Sequence, residues 1–251
     1  MRFFLLLRQK IAWMTGVFYF CSLMICFVMA QVSFVNAHKI FWDFAMGIIF
    51  VSQLGLVFYL CSSLLHEEKQ KRSLDLTIST GVSRASWLAG NVLGVWVLLS
   101  LLALAAFVFC IFISFLSFEG QITAIHLQSF FLILAETLVV AFMSFFFSLF
   151  FRPLLAQLLS LCVLIFLHSS QNINRILEDP MLFRLPSAKI LLLLSGLSKL
   201  LPPFDWFDLK PLLGYESSIA WSTFTLLLLL SAIWTFLLYG LSLLKLKDLD
   251  L

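Results

Sequence analysis

Long apolar runs separated by short polar breaks dominate this chain, near residues 11–34, 43–65, 87–117, 127–151, 153–171 and 221–244. Within each run the hydrophobic residues neither alternate, as in a half-buried strand, nor keep to one side, as in an amphipathic surface helix. About 20 consecutive apolar residues cross a hydrocarbon core as a helix. The pattern therefore predicts an all-α integral membrane protein of six transmembrane helices, forming a single domain over 1–251. The run at 87–117 is over-long, about 31 residues, so it tilts or projects beyond the bilayer. The run at 153–171 is short and opens on Pro153, a residue suited to the first helical turn. Arg152-Pro153 thus reads as a tight turn between the fourth and fifth spans. The first run exceeds the about 7–15 apolar residues of a secretory signal and is read as a retained span.

Two segments break the pattern. Residues 66–94 hold the one dense block of charge in the first half of the chain: an acidic pair at Glu67-Glu68, a basic cluster, a short apolar run and a turn ending in Ser83-Arg84. A helix over the start of this block has Leu74, Leu76 and Ile78 along an apolar edge and Lys69, Lys71 and Arg72 along a polar one. Gly81 ends it, and Ser83 is placed to cap a new helix from about Ala85. The second break, 172–220, begins polar and turn-rich. Its stretch 187–201 puts Lys189, Gly196 and Lys199 on one helical face, as in a helix lying in the membrane interface, and Pro202-Pro203 ends it. The alternative is a re-entrant pair of half helices.

Composition agrees with lipid as the solvent. The 251 residues are 62% hydrophobic and 12% charged, against about 25% charged in a typical soluble domain. Charge placement then orients the spans. With the N-terminus inside, the inner segments carry Arg2, Arg8, Lys10, Lys69, Lys71, Arg72, Arg84, Arg152, Lys245 and Lys247, while the two short outer loops carry only Lys39. Both termini are then cytoplasmic. The net charge of +3 is too small to point to a nucleic-acid partner. Cys21, Cys26, Cys61, Cys110 and Cys162 all lie inside apolar runs and form no C-x-x-C pair; they read as small buried hydrophobes. Asp43, Glu119, Asp205 and Asp208 read as solvated charges near the outer interface.

Little in the chain carries covalent chemistry. There is no phosphate-binding glycine loop, no G-x-S-x-G and no H-E-x-x-H. The Ser and Thr residues of the spans are expected to bond their own backbone or a neighbouring helix, and Gln53 and Gln157 to bridge helices. Glu136 is the one acid deep within a predicted span. An ionisable group there marks a functional site by default, so Glu136 is a candidate for lining a translocation path. The structural alternative is a protonated carboxyl, or one bonded to Thr137 or to a polar group on another span.

The order of residues in the charged block resembles a known signature. Glu67-Glu68, Ser73-Leu74, Leu76, Val82-Ser83-Arg84 and Leu88-Ala89-Gly90 are similar to the cytoplasmic motif of the type-2 ABC transporter permeases, with Gly81 where that motif has Pro and Asn91 where it has Lys. The stretch 201–215, LPPFDWFDLKPLLGY, is similar to the segment before the last span in permeases of the copper-enzyme-maturation type. The resemblance implies a bacterial inner-membrane permease subunit of an ATP-binding-cassette exporter, itself not an enzyme and holding no cofactor. ATP and Mg would bind a separate ATPase subunit, and a second permease subunit would complete a homo- or heterodimer. Residues 66–84 would be the coupling helix, with Glu67, Glu68, Arg72, Leu74, Leu76, Val82, Ser83 and Arg84 facing the ATPase, and 172–220 an outer gate. The other reading is a membrane assembly or scaffold protein whose loop docks a partner that is not an ATPase.

Overall fold

Apolar helices in the expected order build the molecule. The structure, a computed structural model, describes residues 10–33, 37–70, 83–118, 122–169, 196, 204–207, 209 and 218–248. Among these are six principal α-helices: α1 (Lys10–Val32), α2 (Ala37–Gln70), α3 (Arg84–Ser117), α4 (Ala124–Phe150), α5 (Pro153–His168) and α6 (Trp221–Asp248). A short 3-10 turn, Phe204–Phe207, lies between α5 and α6, and no strand occurs among the described residues.

Local chemistry sets several boundaries. Ser83, in an extended conformation, accepts a hydrogen bond from the Ser86 amide at 3.1 Å and caps α3 as the sequence predicts, satisfying one of the amides a helix start leaves open. Pro153 opens α5 behind Arg152, so α4 and α5 are joined by the expected tight turn. Two boundaries differ from expectation. α2 starts at Ala37 and continues through Gln70, so residues 66–70 extend that helix instead of starting a separate one. α5 ends at His168 with Ser169 as its C-cap, after 16 residues. At 1.5 Å per residue that is about 24 Å, short of the ~30 Å hydrocarbon core. The remaining five helices each contain a stretch long and apolar enough to span a bilayer. This is the arrangement of a multi-pass helical membrane protein.

α4 is the central helix. It packs against α2, α3, α5, α6 and the 3-10 turn, while α1 lies on α2 and α3. Of its most apolar stretch 72% is buried, against 28% for α1 and 22% for α6. Small buried residues line the contacts: Ala103 and Ala106 on α3, Ala141 and Ser144 on α4, Ala156 and Ser160 on α5. Such residues let helix backbones approach where lipid removes the usual hydrophobic drive between helices. Aromatic rings fill the rest. Phe107 and Phe130 stack at 4.4 Å with their planes 15° apart, and Trp87 meets Phe145 edge-on at 6.1 Å. The outer surface is apolar as well, with Phe115, Phe236, Leu154 and Met14 all more than two-thirds exposed. An apolar skin this extensive is an aggregation liability in water and the expected boundary against lipid.

The helices alternate in direction, so the bundle has two distinct ends. At one end the Arg84 guanidinium donates to the Leu246 carbonyl at 3.0 Å, Tyr239 donates to the Ala85 carbonyl at 3.2 Å, and Lys245 sits over the Phe150 ring. That end gathers the close of α2, the start of α3, the α4–α5 turn and the close of α6. At the other end His38, Phe41 and Trp42 of α2 meet Phe118 and His126. Arg84, Arg152 and Lys245 thus share one end, as the charge pattern predicts.

Two neighbouring phenylalanines test the distinction between core and skin. Phe130→Ala is expected to cost about 3–5 kcal/mol, because the ring is 2% exposed. Phe131→Ala, at a ring 51% exposed, is expected to change stability by no more than about 0.5 kcal/mol. Unfolding of the purified protein in mild detergent measures both, and equal losses would refute the assignment of faces.

Candidate functional site

Glu136 lies midway along α4, about 18 Å from its first residue at 1.5 Å per residue, and is 2% exposed. Its partner comes from another helix: Glu136 Oε1 is 2.7 Å from His168 Nε2. The geometry follows from the short fifth helix. α5 runs back along α4 from the Arg152 turn, and 16 residues bring its last residue level with the middle of α4. Thr137, considered from sequence as a partner, instead bonds the Leu134 carbonyl of its own helix at 2.9 Å.

Aromatic side chains enclose this pair. The His168 ring meets Phe50 of α2 edge-on at 5.8 Å and Phe204 at 6.0 Å. Phe204, Phe207 and Leu209 are all buried and close over the pair beside α4 and α5. A cavity of about 10 Å³ remains, lined by Phe50, Ser129, Ile133, Glu136, His168, Phe207 and Leu209, at the lower limit for holding a single water. Backbone that is not α-helical is acceptable at membrane depth only when protein or water surrounds it, and here protein does. Of the expected outer segment 172–220, residues 204–207 and 209 are therefore inserted among the helices. The proposed interfacial helix at 187–201 lies outside the described residues except for Gly196.

A second clamp orders the approach to α6. The Gln128 side-chain amide donates to the Ile219 carbonyl at 3.0 Å and accepts from the Ile219 amide at 3.1 Å. Both bonds join α4 to the three residues before Trp221. Near the same end, the Trp42 indole donates to His38 Nε2 at 3.0 Å and to Ser114 Oγ at 3.3 Å, and its ring lies 4.4 Å from that of His126. Among the described residues no group of three or more His, Cys, Asp or Glu is arranged to hold a metal.

The other expected site residues divide into two sets. Glu67 and Glu68 fall in the last turns of α2. Ser83 caps α3, and Arg84 bonds the Leu246 carbonyl. Arg72, Leu74, Leu76 and Val82 lie outside the described residues. The two glutamines behave as expected: Gln53 donates to the Tyr19 hydroxyl at 3.0 Å and the Leu99 carbonyl at 2.8 Å, and Gln157 donates to Ser62 Oγ at 2.7 Å. Asp43 does not. It lies in the second turn of α2, half-buried, with Oδ1 lacking a hydrogen-bond partner among the described residues, because α2 begins earlier than the sequence indicates. Asp205 stands in the 3-10 turn, and Glu119 and Asp208 lie outside the described residues. Cys26, Cys61 and Cys110 are buried as expected, whereas Cys21 and Cys162 face outward from the bundle.

Sequence reasoning missed His168 as the partner of Glu136. The available signal was its place at the end of a helix too short to span, with the acid about as far back from the Arg152 turn as the histidine is forward. A double-mutant cycle on Glu136→Gln and His168→Gln measures the contact. A coupling of about 0.5–3 kcal/mol is expected for groups in direct contact; strictly additive losses in chemical denaturation would exclude it.

Compared with models of known protein families, with curated proteins and with solved structures, the chain matches none.

Proposed function

We propose that this chain is the membrane-spanning permease subunit of an ATP-binding-cassette exporter, driven by a separate ATPase. The observation that carries the reading is the way the charged block is mounted. α2 runs unbroken through Gln70, and α3 restarts at a Ser83 cap, so the charged block is flanked in sequence by two long helices, and α3 starts at the end where Arg84, Arg152 and Lys245 collect. A force applied to that short connection would reach the middle of the bundle through rigid rods. A chain without a phosphate-binding loop of its own needs such an element to borrow work from a nucleotide-hydrolysing partner. In this reading the basic end faces the cytoplasm of a bacterium, the chain crosses the membrane six times with both termini inside, and a second permease subunit completes the transporter.

The Glu136–His168 pair then has a place in the cycle. It lies mid-bundle, covered by Phe204, Phe207 and Leu209, where an ionisable pair is costly and so marks a candidate for a pathway or a moving part. Tilting α2 and α3 against α4 would alter the packing of Phe50 on His168 and loosen the cover. The pair serves as a latch between the helices and the inserted segment, and opening it exposes a route past α4.

Two experiments test this reading. Glu67→Lys/Glu68→Lys is expected to reduce co-purification of the ATPase subunit at least ~10-fold, a loss of about 1.4 kcal/mol or more in affinity, with the permease still folded. Arg84 is the poorer choice, since its guanidinium also ties α3 to α6. An undiminished, fully coupled complex would sink the assignment and favour a scaffold that docks another protein. In the reconstituted complex, Glu136→Gln is expected to alter transport while ATPase binding persists; unchanged transport would remove Glu136 from the pathway.

A further inference from the structure

The turn between α4 and α5 borders a pocket separate from the Glu136 site. It holds about 180 Å³ and is lined by Ser62 and His66 of α2, Ser148 to Phe150 of α4, and Phe151, Arg152 and Pro153 of the turn. Among the described residues the Arg152 side chain has no hydrogen bond and no ion pair, and Lys245, over the Phe150 ring at 5.3 Å, meets only that π face. The Ser62 and Ser148 hydroxyls already donate to carbonyls of their own helices, and Ser62 also accepts from Gln157, so neither has a proton left for a ligand. The cationic donors are therefore the groups available to a ligand, which selects an anion.

The rim selects which anion. Phe150 and Phe151 are about half exposed and Leu154 is 71% exposed, so one lip of the pocket belongs to the apolar outer surface. A polar cavity with a guanidinium, opening at the level where apolar skin gives way to the basic end of the bundle, fits a molecule that is anionic at one end and apolar beyond. Basic pockets between transmembrane helices bind lipid head groups by this combination, and a guanidinium pairs with phosphate oxygens in a two-pronged geometry. The start of α5 follows directly, and its backbone dipole adds to the attraction.

We propose that this pocket binds the phosphodiester head group of an anionic membrane lipid, with Arg152 as the principal contact and Lys245 beside it, the acyl chains lying along Phe151, Leu154 and Leu155. The site holds the end of α2 against the α4–α5 turn. It does not depend on whether an ATPase drives the protein, since it needs only a multi-pass chain in a bilayer.

The test uses the purified full-length protein in a neutral detergent, with phosphatidylglycerol, phosphatidylcholine or inorganic phosphate added. Phosphatidylglycerol is expected to raise the melting temperature by roughly 5–10 °C at saturation and phosphatidylcholine by much less. Arg152→Gln is expected to remove most of the difference, Arg152→Lys to keep part of it, and Lys39→Gln, at the opposite end, to keep all of it. Lys245→Gln provides a second variant should Arg152→Gln prove unstable without lipid, and it is expected to weaken the response. Equal shifts with both lipids, or the full anionic response in Arg152→Gln and Lys245→Gln, would overturn the proposal. A shift from inorganic phosphate alone that Arg152→Gln abolishes would reassign the pocket to a free anion. Failure of lipid to act, with loss of a co-purifying protein in Arg152→Gln, would reassign it to an acidic partner side chain.

Discussion

Polar groups enclosed by apolar surroundings must find partners inside the protein, and α4 is where this constraint is met. Gln128, Glu136, Thr137 and Ser148 all lie buried on this one helix, and each is hydrogen-bonded. Gln128 holds the approach to α6, Glu136 holds the end of α5, and Trp96 of α3 donates to the Leu134 carbonyl at 2.9 Å. In lipid an unsatisfied polar group costs several kcal/mol, so each contact specifies which neighbour lies where. Apolar packing alone, with so many interchangeable Leu and Phe residues, would leave helix order and rotation weakly determined. The polar groups of α4 therefore decide the arrangement more than the volume of its phenylalanines does.

The short fifth helix has the largest consequence. Had α5 continued through the bilayer, Glu136 would have faced another apolar helix surface, and Phe204, Phe207 and Leu209 would have had no room. Because it ends at His168, an imidazole reaches mid-depth beside the carboxylate. The space beyond the helix end is filled by Phe204, Phe207 and Leu209 from far along the chain. Small residues buried on α5, Ala156 and Ser160, let it approach its neighbours closely, and the pair forms at 2.7 Å.

The two ends of the bundle have different chemistry. One carries aromatic rings and histidines: His38, Trp42, Phe118 and His126. The other carries Arg84, Arg152, Lys245 and the run-on of α2 through Glu67 and Glu68. On the basic end, Arg84 neutralises the last carbonyls of α6, a favourable use of a cation at a helix C-terminus. Arg152 makes no such internal bond among the described residues. That difference separates a residue that ties two helices together from one that the proposed lipid site would engage.

The sequence by itself determined the membrane class, the helix positions to within a few residues except at both ends of α2, the Ser83 cap and the Arg152-Pro153 turn. Each is local: hydrophobic length, one capping hydroxyl and one proline act over a few consecutive residues. The grouping of Arg84, Arg152 and Lys245 at one end also followed, because alternating spans leave little choice of side. Only the tertiary structure decided that His168 belongs to Glu136, that Gln128 clamps Ile219, and that Phe204, Phe207 and Leu209 enter the bundle. These are contacts between residues 32, 91 and 36 positions apart, made by depth and rotation of helices whose apolar faces look alike in sequence. Helix length sets depth, but packing of small and polar residues sets rotation, and that information resides in pairs of helices and not in any one of them.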